Sequence, residues 1–349
     1  MQTCIAHRAL VIAVVTLTCA LVGAPLATAQ VERVLDPNWT MPRTADGQPD
    51  LQGKWGNKTL TPMERRSNEG RAFLTAEEMA AINQQRAVDE QARDDAPAQR
   101  YEAGRNVGGY GSYWLDSGDT VLSTGQTSLI VDPPEGRAPV KQWALDTKAY
   151  NLAHNGDHYE NMSVWDRCLS RGVPGSMLPA GYNNVYRIVQ TPDHIAIQHE
   201  MIHDGRIIPL ADEPFIDDRI RQWMGDARAH WDGDDLVVET QNFHNRGWIA
   251  SSSAGARLKG IPVSKALHVV ERYHRVSEST IIWTVTINDP NVYTQPWTIS
   301  MPLTAEPDYE MYEYACHEGN YGMANMLRGA RRREANEVSD RVADLFRGQ

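Results

Sequence analysis

The hydrophobic period changes along the chain from helical to two. Residues 76–93 carry Ala, Glu, Gln and Met without Gly or Pro, and Thr75 precedes them with Glu78 three positions on. Thr at the N-cap and Glu at the third helical position each satisfy a free backbone N–H of the other, so this capping box predicts a mostly polar helix starting at Ala76. After about residue 120 apolar and polar positions alternate instead. Segments 128–131, 185–190, 194–208, 236–240, 267–276, 280–287 and 297–303 are rich in β-branched and aromatic residues and lie between turn residues, as strands do. Asp232-Gly233 predicts a hairpin turn from Ala229-His230-Trp231 into Asp235-Leu236-Val237, and Ser277-Glu278-Ser279 turns the next pair.

Short turns join antiparallel neighbours, whereas parallel strands need long crossovers, and no strand–helix–strand spacing occurs between 120 and 305. The expected fold is therefore mainly β, an antiparallel β-barrel or sandwich, a lipocalin-like form included, with N- and C-terminal helical additions. Residues 30–120 should form an extended arm and a helix packed on the body. Residues 121–349 should form the β body and a C-terminal helix over 323–346. The arm, 30–60, is rich in Pro, Asp, Gly and Asn. The Gly-aromatic run 106–114 lacks the Lys-Ser/Thr pair and the strand-to-helix context of a phosphate-binding loop.

Composition narrows the function classes. Hydrophobic residues are 41% and charged residues 23%, enough apolar chain for a sizeable core and too much for bulk disorder. A net charge of −11 argues against nucleic acid as a partner. Arg8, the uncharged run 9–22 and Ala27-Thr28-Ala29 match a secretory signal peptide over 1–29, cleaved before Gln30. The apolar run, about 14 residues against the roughly 20 that span a bilayer, predicts no stable membrane insertion after cleavage. The mature chain, periplasmic or secreted, loses Arg8 and no acid, so its charge becomes −12, and it keeps only Cys168 and Cys316. In an oxidising compartment these two are expected to form a disulfide. The competing reading makes Cys316 a nucleophile beside His317, but strand neighbours face opposite ways.

His199-Glu200-Met201-Ile202-His203 spells the H-E-x-x-H pattern of zinc hydrolases, which needs both histidines on one helix face. The flanks favour a strand instead, where the histidines would stand roughly 13 Å apart and Glu200 would point away from them. On that strand His199, Met201 and His203 share one face, and Glu200, Ile202 and Asp204 the other, each too polar to be plain core. One face is expected to look into a cavity. Tyr182-Asn183-Asn184 follows a Pro/Gly-rich run and either caps a turn or contacts a ligand. His317-Glu318-Gly319-Asn320-Tyr321 follows Cys316, so a Cys168–Cys316 bridge would pin it near Asp166-Arg167, and its imidazole, carboxylate and amide suit acid–base chemistry. His154, Asp157, His158 and Glu160 read as a surface turn or cavity rim, because Asn155-Gly156 interrupts any helix.

The runs Ala45–Gly53, Thr127–Pro134, Glu200–Asp204, Trp231–Val238 and Tyr312–Tyr321 resemble those of a family of secreted bacterial β-rich proteins. The likeness covers nearly all of the mature chain. It implies export and a shared β body, and no catalytic role carries over with it. In that pattern Glu200 to Asp204 recurs while the position of His199 varies, which turns attention from a zinc site to Glu200, His203, Asp204 and Arg206.

Taken together, the sequence points to an exported enzyme acting on a small, partly apolar molecule by metal-independent acid–base chemistry, as a lyase or hydrolase, without a cofactor. The expected roles are His203 as base, Asp204 or Glu200 as its partner or acid, and His317 as a further acid–base group. Tyr182, Asn183, Arg206 and Glu318 are the expected substrate binders. Two alternatives stand beside this: a non-catalytic small-ligand-binding β-barrel, and a zinc-dependent hydrolase through His199, Glu200 and His203.

Overall fold

The computed structural model describes residues 38–95 and 115–347, with side chains through Arg341. The expected leader, 1–29, and the Gly-aromatic run 106–114 lie outside the described residues. The fold is mostly antiparallel β: a nearly closed nine-strand barrel with a few helices. Its strands are β1 (Gly53–Gly56), β2 (Ile130–Asp132), β3 (Val185–Gln190), β4 (His194–His199), β5 (Gly205–Pro209), β6 (Asp226–Asp232), β7 (Asp235–Gln241), β8 (His268–Ser277), β9 (Thr280–Asn288) and β10 (Trp297–Ala305). The ladder runs β5-β4-β3-β1-β10-β9-β8-β7-β6, with β2 paired to β10 off this path. The terminal strands β5 and β6 come back alongside each other. The helices are α1 (Ala76–Asp94), α2 (Gln142–Ala153) and α3 (Gly322–Arg347).

The alternation explains the barrel wall. Ile195, Ile197 and His199 of β4, Val269, Glu271 and Tyr273 of β8, and Trp283 and Val285 of β9 all point inward and are buried. On β5, Arg206 and Ile208 are buried while Ile207 between them is 77% exposed. Large side chains take up most of the interior: Trp55, Tyr186, Tyr273, Trp283 and Trp297 are all at most 2% exposed. It is a packed core and not an open calyx of lipocalin type.

Helix α1 starts where the capping box places it, with Glu78 N donating to Thr75 Oγ1 at 3.2 Å and Thr75 N to Glu78 Oε2 at 2.8 Å. The hairpin at Asp232-Gly233 pairs Asp232 with Asp235. Three features depart from the sequence reading. The arm sends Gly53–Gly56 into the middle of the ladder, where β1 joins β3 to β10 and buries Trp55. Helix α2 has Lys141 at its N-cap with no side-chain cap bond and buries only Ala144, so neither a cap nor an apolar stripe marked it.

The third correction concerns the site. Segment 194–208 is a hairpin and not one strand, because Ile202 and His203 adopt left-handed φ of 65° and 58° and reverse the chain. Such hairpin turns are ordinarily signalled by Asn-Gly or Asp-Gly, and a β-branched residue there is strained. His199, Met201 and His203 therefore do not share a face: His199 is buried and His203 exposed.

Candidate functional site

Four segments meet beside the start of β3. Glu200, in the β4–β5 turn, donates its backbone N–H to Val185 O at 3.1 Å. The segment after β10 reaches the same turn, where Glu200 accepts Tyr309 Oη at 2.9 Å and Tyr312 N at 3.3 Å. Loop 163–182 joins them through the Cys168–Cys316 disulfide, whose Cα atoms are 5.6 Å apart. The bridge expected from sequence is thus present.

Cys316 of this bridge lines a cleft of about 530 Å³. Trp165, Tyr182 and Tyr314 supply its aromatic walls, and Asp166, Glu313 and Glu318 its carboxylates. Tyr182 and Tyr314 lie with ring planes within 9° and centroids 6.4 Å apart, and Trp165 is 6.4 Å from Tyr182. A second cavity of about 380 Å³ shares Asp166, Asn320 and Met323 with the first and adds His317, Arg167 and Tyr159. Asp166 is oriented by Ser163, whose hydroxyl donates to Oδ2 at 2.7 Å. Arg167 lies over the rings of Tyr159 and Trp223, at 5.4 and 5.8 Å. Asn320 Nδ2 is 3.1 Å from Cys168 Sγ, which ties the His317–Asn320 run to the bridge.

The sequence-predicted residues divide into three groups. Tyr182, His317 and Glu318 come together at the two adjoining cavities. Glu200, His203 and Asp204 belong to the β4–β5 turn. Glu200 is a buried strut, and His203 projects from the surface. Burial pushes the Asp204 carboxyl up, against smaller opposing contributions from Ser170, Gly205 N and Arg206. Asn183 has a left-handed φ of 52° ahead of β3, the turn role open to it from sequence. Its neighbour Asn184 is buried, accepting Ala180 N at 2.7 Å and donating to Asp116 O at 2.7 Å.

Arg206 lies apart from both, inside the barrel. Its Nη2 donates to Glu271 Oε2 at 2.6 Å and to Thr240 Oγ1 at 3.2 Å. Tyr273 Oη and Trp283 Nε1 donate to the other oxygen of Glu271 at 2.8 and 3.2 Å. Sequence reading missed Glu271, although an acid in the inward phase between Val269 and Tyr273 was a visible signal. Trp165, Glu313 and Tyr314 were missed for another reason: irregular chain has no period to mark which side chains share a wall.

The H-E-x-x-H run forms no helix face. His199 ends β4 with its ring edge-on to Tyr186 at 5.5 Å, and His203 sits past the turn. Among the described residues no group of three or more His, Cys, Asp or Glu is placed to hold a metal ion. Comparison of the chain with known protein families, curated proteins and solved structures finds no significant match.

Proposed function

We propose that the protein is an exported enzyme that acts on a small, partly apolar molecule in the cleft beside the Cys168–Cys316 bridge, by acid–base chemistry. One observation carries this reading: His317, Asp166, Glu313 and Glu318 line two adjoining cavities walled by Trp165, Tyr182 and Tyr314. Concave sites with aromatic walls and a few convergent titratable groups are where small molecules bind and react. In this reading His317 and Glu318 exchange protons with the substrate, Asp166 assists from the shared wall, and Tyr182 and Tyr314 hold an apolar face of the substrate. His203, Asp204 and Glu200 shape the neighbouring turn, so the acid–base role moves from His203 to His317.

A non-catalytic binding protein is the second reading. It uses the same cleft, because large side chains take up most of the barrel interior.

A panel of p-nitrophenyl esters and glycosides, read for nitrophenolate release by the full chain and by His317→Ala and Glu318→Gln, tests the proposal. Turnover that falls at least about a hundredfold in a normally folded variant supports it, on the scale of a lost acid or base. Turnover unchanged in both variants overturns it. Saturable binding of the panel without turnover transfers the cleft to the second reading.

A further inference from the structure

The barrel interior holds more buried positive charge than the side chains around it neutralise. Tyr186 Oη donates to Met177 O at 3.0 Å and Arg171 Nη2 donates to the next carbonyl, Leu178 O, at 3.2 Å, so the Arg171 guanidinium lies beside the Tyr186 ring end. Tyr186 pairs directly with His199 across β3 and β4. Arg206 pairs with Ile197, two residues from His199 on the same inward face, which makes His199 and Arg206 diagonal neighbours. Arg171, from the 163–182 loop, thus joins His199 and Arg206 of the wall, both guanidinium groups lie within electrostatic reach of His199, and all three side chains are at most 5% exposed.

Their hydrogen-bonding groups are only partly used. Arg171 Nε, Arg206 Nε and Nη1, and both ring nitrogens of His199 are buried without a partner. Arg206 is ion-paired with Glu271, and among the described residues no carboxylate lies within ion-pair distance of Arg171. Asp204, the other acid within electrostatic reach of Arg206, makes no ion pair with it. Burial and the two guanidinium groups hold His199 neutral, with a pKa of about 3. Two guanidinium groups therefore stand against the single paired carboxylate of Glu271, with unused N–H groups on both.

From this we infer that the protein holds one small oxyanion, a carboxylate group or an inorganic oxyanion, between Arg171, His199 and Arg206. The free Nε of Arg171, the free Nε and Nη1 of Arg206 and one N–H of the neutral imidazole are single donors that the oxygens of such a group accept. Arg171 is also within electrostatic reach of the cleft walls Tyr182 and Tyr314, but the anion takes part in no step of the proposed reaction and its test stands apart from that reading.

The test uses the full chain, purified without organic acids. Part of the sample is denatured and the released small anions are identified by mass spectrometry. The rest is followed by thermal unfolding in rising acetate, nitrate or phosphate, with chloride at equal ionic strength as the control. A stoichiometric released anion, or a saturable rise in Tm of a few degrees with an oxyanion and not with chloride, supports the site. The arms then separate carboxylate from inorganic oxyanion. Arg171→Met should lose the response, and His199→Gln, which keeps one donor, should weaken it and serves where Arg171→Met does not fold. No released anion together with no oxyanion-specific shift overturns the proposal, as does a shift of wild-type size in folded Arg171→Met.

Discussion

Tyr309 Oη lies 2.9 Å from both carboxylate oxygens of Glu200, a residue only 1% exposed. The contact fastens the chain leaving β10 to the β4–β5 turn, and Tyr312 N adds a second donor to the same carboxylate at 3.3 Å. Burial raises the Tyr309 hydroxyl pKa, and Glu200 raises it further, so this proton stays on the phenol and is donated to the carboxylate. Tyr309 stands five residues before Tyr314, so the strut also sets where one cleft wall begins.

Removing the hydroxyl leaves a buried carboxylate short of its best donor. Tyr309→Phe should therefore lower stability by about 1–3 kcal/mol. The check is urea unfolding at pH 7, where the midpoint should fall without a change of slope. A midpoint within error of wild type would show that Tyr312 N and solvent suffice for Glu200.

The Cys168–Cys316 bridge spans a sequence separation of 148 residues and joins the two segments that face each other across the cleft. Chain-entropy reasoning assigns such a loop roughly 4–5 kcal/mol through restriction of the unfolded chain. The double variant Cys168→Ser, Cys316→Ser should lose stability on that scale in urea unfolding. It should also lose cleft binding before it loses the barrel, because the ladder is hydrogen-bonded without help from the bridge. A bridge-free protein that keeps wild-type affinity for a cleft ligand would remove the disulfide from the site's support.

Much of the fold was legible because strands announce themselves by alternation. β3 and the turn at Asp232-Gly233 stand where the pattern placed them, and Thr75 with Glu78 marked the start of α1. What escaped was local geometry without a residue signature. Ile202 and His203 reverse the chain with no Asn or Gly between them, since Glu200 and the surrounding contacts over-determine the turn. Half of the candidate site was legible through Cys316 and the His317-Glu318 run, because the pairing of Cys168 with Cys316 fixes what lies beside it. Trp165 and Tyr314 come from irregular segments brought together by that same bridge. The barrel interior was half legible: Arg206 drew attention, but its partner Glu271 lies 65 positions further on, and no local pattern links them.

His199 gives the fold a pH dependence whose sign follows from its environment. Burial first, then the positive charges of Arg206 and Arg171, lower its pKa to about 3 from 6.5. The unfolded chain takes up this proton near pH 6.5, and the folded protein refuses it until about pH 3. The contribution is therefore complete above about pH 6.5 and is lost as pH falls towards 3, by up to roughly 4–5 kcal/mol. His274 opposes this: its hydrogen bond to Asp235 raises its pKa, so its contribution is present below the unfolded value and is lost as pH rises through the folded one. Urea midpoints at pH 7 and pH 4 should differ less in His199→Gln than in wild type, because the variant removes only the first effect. Equal differences would mean that His199 is protonated inside the barrel.

Arg206 and Glu271 hold the seam of the barrel from inside. Arg206 projects from β5, the last strand of the ladder at one end, and its partners Thr240 and Glu271 belong to β7 and β8 near the other. Both side chains are essentially solvent-free, at 3% and 0%. At that depth the desolvation of two charges cancels much of their attraction, so the pair is worth little against apolar replacements, whereas breaking it strands a charge. Glu271→Gln leaves Arg206 without its carboxylate and should cost about 3–5 kcal/mol. Tyr273 Oη and Trp283 Nε1 would meet a neutral amide in place of the carboxylate, which adds to that loss. Arg206→Met combined with Glu271→Leu should recover most of the stability lost in either single variant, leaving a large coupling energy in a double-mutant cycle. The measurement is urea unfolding at pH 7 of wild type, Arg206→Met, Glu271→Leu and their double variant, with Glu271→Gln beside them. Additive losses would show that the two residues stabilise the seam separately and that the barrel closes without their contact.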